Sequence, residues 1–136
     1  MKREILITFL LLFLLANPSL AASFNVTIIP STINATQTTS LTFVFFNLND
    51  TQNITQLNIS LPNGIKYNSS DITISPLDGK ICTLISLNLL NCSGSPFIAN
   101  NSNTNVSFSV YADVVSPPDY TFNFKAVDTS GEVTSN

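Results

Sequence analysis

After residue 22, apolar and polar positions alternate with a period of two, and no 3.6-residue stripe competes with them. Phe24, Val26 and Ile28 alternate with Asn25 and Thr27. Leu41, Phe43 and Phe45 alternate with Thr42, Val44 and Phe46, a run apolar on both faces that predicts a central strand. Phe46 is out of phase with Phe43 and Phe45, so it is expected to pack under a loop or a neighbouring sheet. Leu57, Ile59 and Leu61 form the next run, which Pro62-Asn63-Gly64 ends as a turn. Ile72 and Ile74 predict a short strand before Pro76. Val106, Phe108, Val110 and Ala112 alternate with Ser107, Ser109 and Tyr111. After Pro117-Pro118, Tyr120, Phe122, Phe124 and Ala126 do the same with Thr121, Asn123 and Lys125.

Short strands at regular spacing, separated by Pro, Gly and Asn, predict an all-β fold: an antiparallel β-sandwich. Helix propensity is poor throughout, because β-branched, aromatic and Asn, Ser or Thr residues fill almost every window. The segment Glu132-Val-Thr-Ser-Asn136 reads as a final short edge strand, or as the start of something longer in a truncated chain or a module cut from an array.

The N-terminus breaks the alternation. Met1-Lys2-Arg3 is basic, and the 12 residues from Ile5 to Ala16 contain one polar side chain, Thr8. Asn17-Pro18 then breaks any helix, and Ser19-Leu20-Ala21 supplies small residues. This is the anatomy of a secretory signal peptide, with a helical apolar core and cleavage after Ala21 or Ala22. A spanning helix needs about 20 apolar residues, so an uncleaved anchor fits less well. Residues 1–22 are therefore expected to be a leader, and residues 23–136 a single β-sandwich domain of a secreted or cell-surface protein, with no membrane span in the mature chain.

Composition narrows the chemistry. The chain has 136 residues, no histidine, no tryptophan and 10% charged residues. Absence of histidine removes His-based triads, His-ligated metals and imidazole acid–base catalysis. Beyond residue 22, three lysines face seven acids, which leaves no basic patch for nucleic acid. Glycosidase chemistry needs two carboxylates across a cleft, whereas these acids scatter over turns. Asp128-Thr-Ser-Gly131 is one residue too long for an aspartic-protease signature and reads as a turn. Asn47, Asn49, Asp50 and Asn53 crowd oxygen ligands into one loop, but with a single charge they read as a polar loop, not a calcium site. Asp113, Asp119 and Asp128 meeting at one end of the sandwich is a weaker calcium alternative. No catalytic residue, metal ligand or cofactor is expected. Tyr111 is the aromatic expected to be best exposed, in a cross-strand surface pair.

Cys82 and Cys92 are the only cysteines. In an exported chain, two cysteines this close in sequence predict a disulfide. Folding residues 81–92 as a hairpin about Ser86-Leu87-Asn88 sets Cys82 opposite Cys92. Nine N-x-S/T sequons follow the leader, at Asn25, Asn34, Asn49, Asn53, Asn58, Asn68, Asn91, Asn100 and Asn105. Composition alone supplies about four. Asn25, Asn58 and Asn105 fall on the polar phase of their strands, where a glycan would point to solvent. Asn91 precedes Cys92 and is the site most exposed to blocking by the disulfide. An unglycosylated, polar, low-charge surface remains the alternative.

The stretch from Leu41 to Ala126 resembles the conserved-repeat, immunoglobulin-like domain of archaeal and bacterial surface proteins, a type with cell-adhesion-related relatives. The residues that carry the resemblance are Ile59-Ser-Leu-Pro-Asn-Gly-Ile65, the Cys82…Cys92-Ser-Gly94 hairpin and the later run Val106-Ser-Phe-Ser-Val110. One departure is that Asn100-Asn-Ser-Asn103 stands where the family usually has a glycine. The resemblance implies an immunoglobulin-like sandwich acting as a surface spacer or binding module, without catalytic residues. Expected partners are other cell-surface or extracellular proteins, or a second copy of the chain. The function read from the sequence is thus structural or adhesive, with a subunit of an extracellular filament or surface layer, retained through its N-terminal segment, as the alternative.

Overall fold

A computed structural model describes residues 23–68, 71–113, 121–131 and 133–135. The leader, Asp119, Tyr120 and Glu132 lie outside them. The described residues form β1 (Phe24–Ile29), β2 (Thr38–Asn47), β3 (Ile54–Ser60), β4 (Ile65–Tyr67), β5 (Thr73–Ser75), β6 (Ile81–Ser86), β7 (Leu89–Ile98), β8 (Asn103–Ala112), β9 (Asn123–Asp128) and β10 (Val133–Ser135). One antiparallel sheet runs β1-β2-β8-β4, with β5 pairing β8 beside β4; the other runs β10-β9-β3-β7-β6. The expected all-β, immunoglobulin-like antiparallel sandwich is therefore the observed architecture.

The period-two runs become its two inner faces. Leu41, Phe43 and Phe45 of β2, Val106, Phe108 and Val110 of β8, and Leu57 and Ile59 of β3 are all buried. Aromatic rings join the layers. Phe43 stacks on Phe108 with centroids 5.1 Å apart, and the edge of Phe124 from the opposite sheet meets Phe45 at 5.4 Å. Such stacked and edge-on pairs contribute beyond their buried area. On the outer face the same strands pair polar groups, as where the Thr42 and Ser107 hydroxyls meet at 2.8 Å.

Turn chemistry sets the connections. Ile65 donates to Pro62 O at 3.1 Å, and Gly64 between them has φ 86°, the left-handed value that the third residue of a type II turn needs. Asn101 has φ 49° and stands in the loop where the resembling family carries glycine. Asparagine tolerates that conformation better than other side chains do.

Two expectations about aromatic residues are corrected. Among the described residues no loop covers Phe46: it is 38% exposed on the outer face of its sheet. Strand alternation explains this, since flanking residues Phe45 and Asn47 take the inward positions. Tyr111 is half-buried between Thr38 and Lys66, so it is not the best exposed ring. β7 also continues to Ile98, adding Phe97 and Ile98 to the core beyond the predicted hairpin.

Candidate functional site

The carboxylates do not converge. Ala112, just before Asp113, pairs with Ile65 near the Pro62–Gly64 turn, whereas Asp128 pairs with Ile54 at the far end of β3. Asp113 and Asp128 therefore sit at opposite ends of the sandwich. Asp113 forms an ion pair with Lys66. Asp128 Oδ1 accepts from Ser130 N at 2.8 Å and from Ser130 Oγ, so Asp128-Thr-Ser-Gly131 is a capped hairpin turn. Among the described residues, no group of three or more Asp, Glu or Cys side chains gathers as a metal site would require.

The asparagine-rich loop after β2 is tied to its own backbone. Asn47 is fully buried, donates to Gln52 O at 2.8 Å and accepts from Asn49 N at 3.0 Å. Asn49 Oδ1 accepts from Thr51 N and Gln52 N. Asn53 Oδ1 accepts from Asn100 N, and Asn100 Nδ2 donates to Asp50 O. These oxygens hold the β2–β3 loop against the β7–β8 loop, which is the polar-loop expectation.

Sequons fall into distinct settings. Asn58 and Asn91 are cross-strand partners on β3 and β7, and Asn91 Nδ2 donates to Asn58 Oδ1 at 2.6 Å. Asn105 is half-buried between Val44 and Ser75, with a buried carbonyl oxygen that has no hydrogen-bond partner. Asn25, Asn34, Asn68 and Asn100 are exposed, with Asn68 Nδ2 donating to Thr38 Oγ1 at 2.8 Å.

β6 supplies the most distinctive surface. Cys82 pairs with Cys92 across the β6–β7 ladder, Cα atoms 4.0 Å apart, and a disulfide joins them. The hairpin turns at Leu87-Asn88, and Ile85 is the extra residue of a bulge between Leu84 and Ser86. Among the described residues β6 pairs only with β7, so its other edge is open. Ile81 is 62% exposed, Ile85 61%, and Leu87 in the turn 66%. No charged side chain occurs from Ile81 to Ser95, and no sequon from residue 69 to residue 90.

Before the start of β6 lies a cavity of about 250 Å³, lined by the β5–β6 loop, the end of β7 and the start of β8. Lys80 lines it, buried to 7% exposure, and donates to Pro76 O at 2.9 Å. Its aliphatic stem crosses Gly94, where an added Cβ would sit 3.1 Å from Lys80 Cγ. The lysine thereby ties the β5–β6 loop across β7. Sequence reasoning missed it, because an isolated lysine in a polar turn carries no sign of burial.

No family model matches the chain, and comparison with curated proteins finds no match. Its fold is similar to that of a putative membrane-anchored protein from Corynebacterium diphtheriae, with a TM-score of 0.61, 11% identity, and coverage of 88% of this chain and 34% of the other. It is also similar to the T6 backbone pilin of Streptococcus pyogenes, a modular three-domain protein, with a TM-score of 0.52, 13% identity, and coverage of 77% of this chain and 29% of the other. The chain spans about a third of the length of these neighbours, and the likeness is one of fold.

Proposed function

We propose that this chain is a non-enzymatic, secreted or cell-surface β-sandwich module, N-glycosylated, with a structural or adhesive role carried by protein contact. The observation that carries the reading is the β6 edge. An open edge is a row of unpaired backbone donors and acceptors ready to accept another strand. Soluble proteins blunt such edges with charge, whereas this one presents Ile81, Ile85 and Leu87 without a charged neighbour on the strand. The resemblance to conserved-repeat surface domains supports the same reading. So do the fold neighbours, one described as membrane-anchored and one as a backbone pilin. Partners are other extracellular proteins or a second copy of the chain.

Protease shaving of intact native-host cells tests location, and affinity capture under the same conditions tests contact. Surface exposure, with loss of captured partner in Ile85→Lys, is the expected result; a purely cytoplasmic protein rejects the proposal. The second reading, a filament or surface-layer subunit retained through residues 5–16, draws on the likeness to a backbone pilin. N-terminal sequencing separates the two: a chain starting at Ala22 or Ser23 favours the first, and a retained apolar segment favours the second.

A further inference from the structure

Phe46 is the only aromatic among the exposed large hydrophobic residues described, and its Cα partner across the β1–β2 ladder is Asn25. On its other side Phe46 faces Asn103 of β8, so the ring lies in a row between two asparagines on the outer sheet face. Directly opposed residues in an antiparallel pair have Cβ atoms about 4.5–5.5 Å apart, within reach of each other's substituents. Asn25 is exposed, and so is Thr27, which completes its sequon. Of the other sequon side chains described, Asn68, Asn91 and Asn100 commit the amide nitrogen as a donor at 2.6–2.8 Å, while Asn49, Asn53 and Asn58 are half-buried and accept hydrogen bonds at Oδ1. Asn34 reaches Gln37 at 3.5 Å, and Asn105 is half-buried.

From this we infer that Asn25 is a primary glycan acceptor and that the first sugar of its glycan packs on the Phe46 ring. The inference rests on the glycoprotein reading above and adds the site and its platform. In the transfer step, Asn25 Nδ2 bonds to the anomeric carbon of an oligosaccharide carried on a polyisoprenyl phosphate. The bond from that carbon to the phosphate oxygen breaks, the lipid phosphate leaves with the electron pair, and the proton lost from Nδ2 ends on that phosphate or in solvent. A pyranose has an apolar C–H face, and laying it on an exposed ring removes apolar area from water on both partners. This gives the outward Phe46 a cover that the protein itself does not provide.

The test uses protein secreted from the native host, mapped site by site by mass spectrometry and melted. Asn25 is expected to carry a glycan. Removing the sequon by Asn25→Gln, or by Thr27→Val with the asparagine kept, lowers the melting temperature by about 4 °C for a domain of this size. In a Phe46→Ala background the same removal shifts it by less than about 1 °C. Glycans at other sequons with Asn25 bare, or equal shifts in both backgrounds, overturn the inference while leaving the glycoprotein reading intact. A mass equal to the bare chain overturns both.

Discussion

β2 and β6 are both uncharged strands rich in apolar residues, yet they occupy opposite environments. In β2, Leu41, Phe43 and Phe45 are fully buried, and hydrogen-bonded neighbours flank the strand on both sides. In β6, Ile81, Leu84 and Ile85 are all exposed and the strand has one neighbour among the described residues. Similar residue types thus serve the core in one strand and leave a bare edge in the other. The difference lies in what each strand meets. Phe43 is pressed against Phe108, Phe122 and Phe124, whereas Ile81 and Ile85 meet solvent. A hydrophobic strand is therefore not by itself a core strand.

Large-to-small substitutions separate the two most sharply. Phe43→Ala is expected to cost about 3–5 kcal/mol, since it opens a cavity among stacked rings. Ile85→Ala is expected to cost less than about 0.5 kcal/mol. Denaturant titration of both variants checks the contrast, and comparable losses would mean that β6 is covered in the folded protein.

The disulfide is what secures the exposed hairpin. Replacing Cys82 and Cys92 together by serine is expected to cost about 2.5–3 kcal/mol on the loop-entropy account. Hydrogen exchange should then show protection falling first at β6 and the facing residues of β7, with β2 little changed. A uniform loss over both sheets would contradict the view of β6 as a pinned appendage.

A polar contact at the end of β2 ranks next. Asn47→Ala removes the buried amide that holds Gln52 O and Asn49 N, leaving part-buried backbone groups unpaired. The expected cost is about 1–3 kcal/mol. Loosening of the β2–β3 and β7–β8 loops, followed by limited proteolysis, would register it; an unchanged digestion pattern would mean that water replaces the amide.

The smallest effect is one of pH. Burial, and then the charge of Asp71, raise the Tyr67 phenol above its usual value of 10.0. The folded state therefore disfavours the phenolate, so this contribution is complete below pH 10 and declines as pH rises through 10 towards the raised folded value. The Tyr67 ring lies tilted against Phe108 of β8 with centroids 5.1 Å apart, and its backbone N donates to Leu87 O at 3.1 Å, so the effect falls between the β8 core and the turn that ends β6. Tyr67→Phe should flatten the alkaline decline in melting temperature, and an unaltered decline would assign it to another group.

Much of this was legible in the residues. The alternation placed Phe43, Phe108 and Phe124 inward, and the spacing of Cys82 and Cys92 about a central turn put them opposite one another. Other features were hidden for identifiable reasons. β4 spans only three residues, too few to display a period. The continuation of β7 was obscured by Gly94 and Pro96, residues that ordinarily mark the end of a strand. Asp113, flanking the Pro117-Pro118 loop, looked able to meet Asp128, but β8 and β9 lie in different sheets and their ends point apart. The standing of each sequon was equally invisible, since Asn25 and Asn91 have the same three-residue motif. One has an uncommitted amide beside an exposed ring, and the other donates to Asn58.

The sequence alone determined the longer strands, the face that each turns inward, the hairpin held by the cysteines and the absence of histidine chemistry. Those properties are local, because a period of two or a turn of a few residues is written in adjacent positions. Only the tertiary structure decided that β2 is enclosed and β6 bare, that Lys80 is buried, and that Phe46 faces Asn25 in the open. Each of these depends on which strand lies beside which, and that pairing is settled by contacts between residues far apart in the chain.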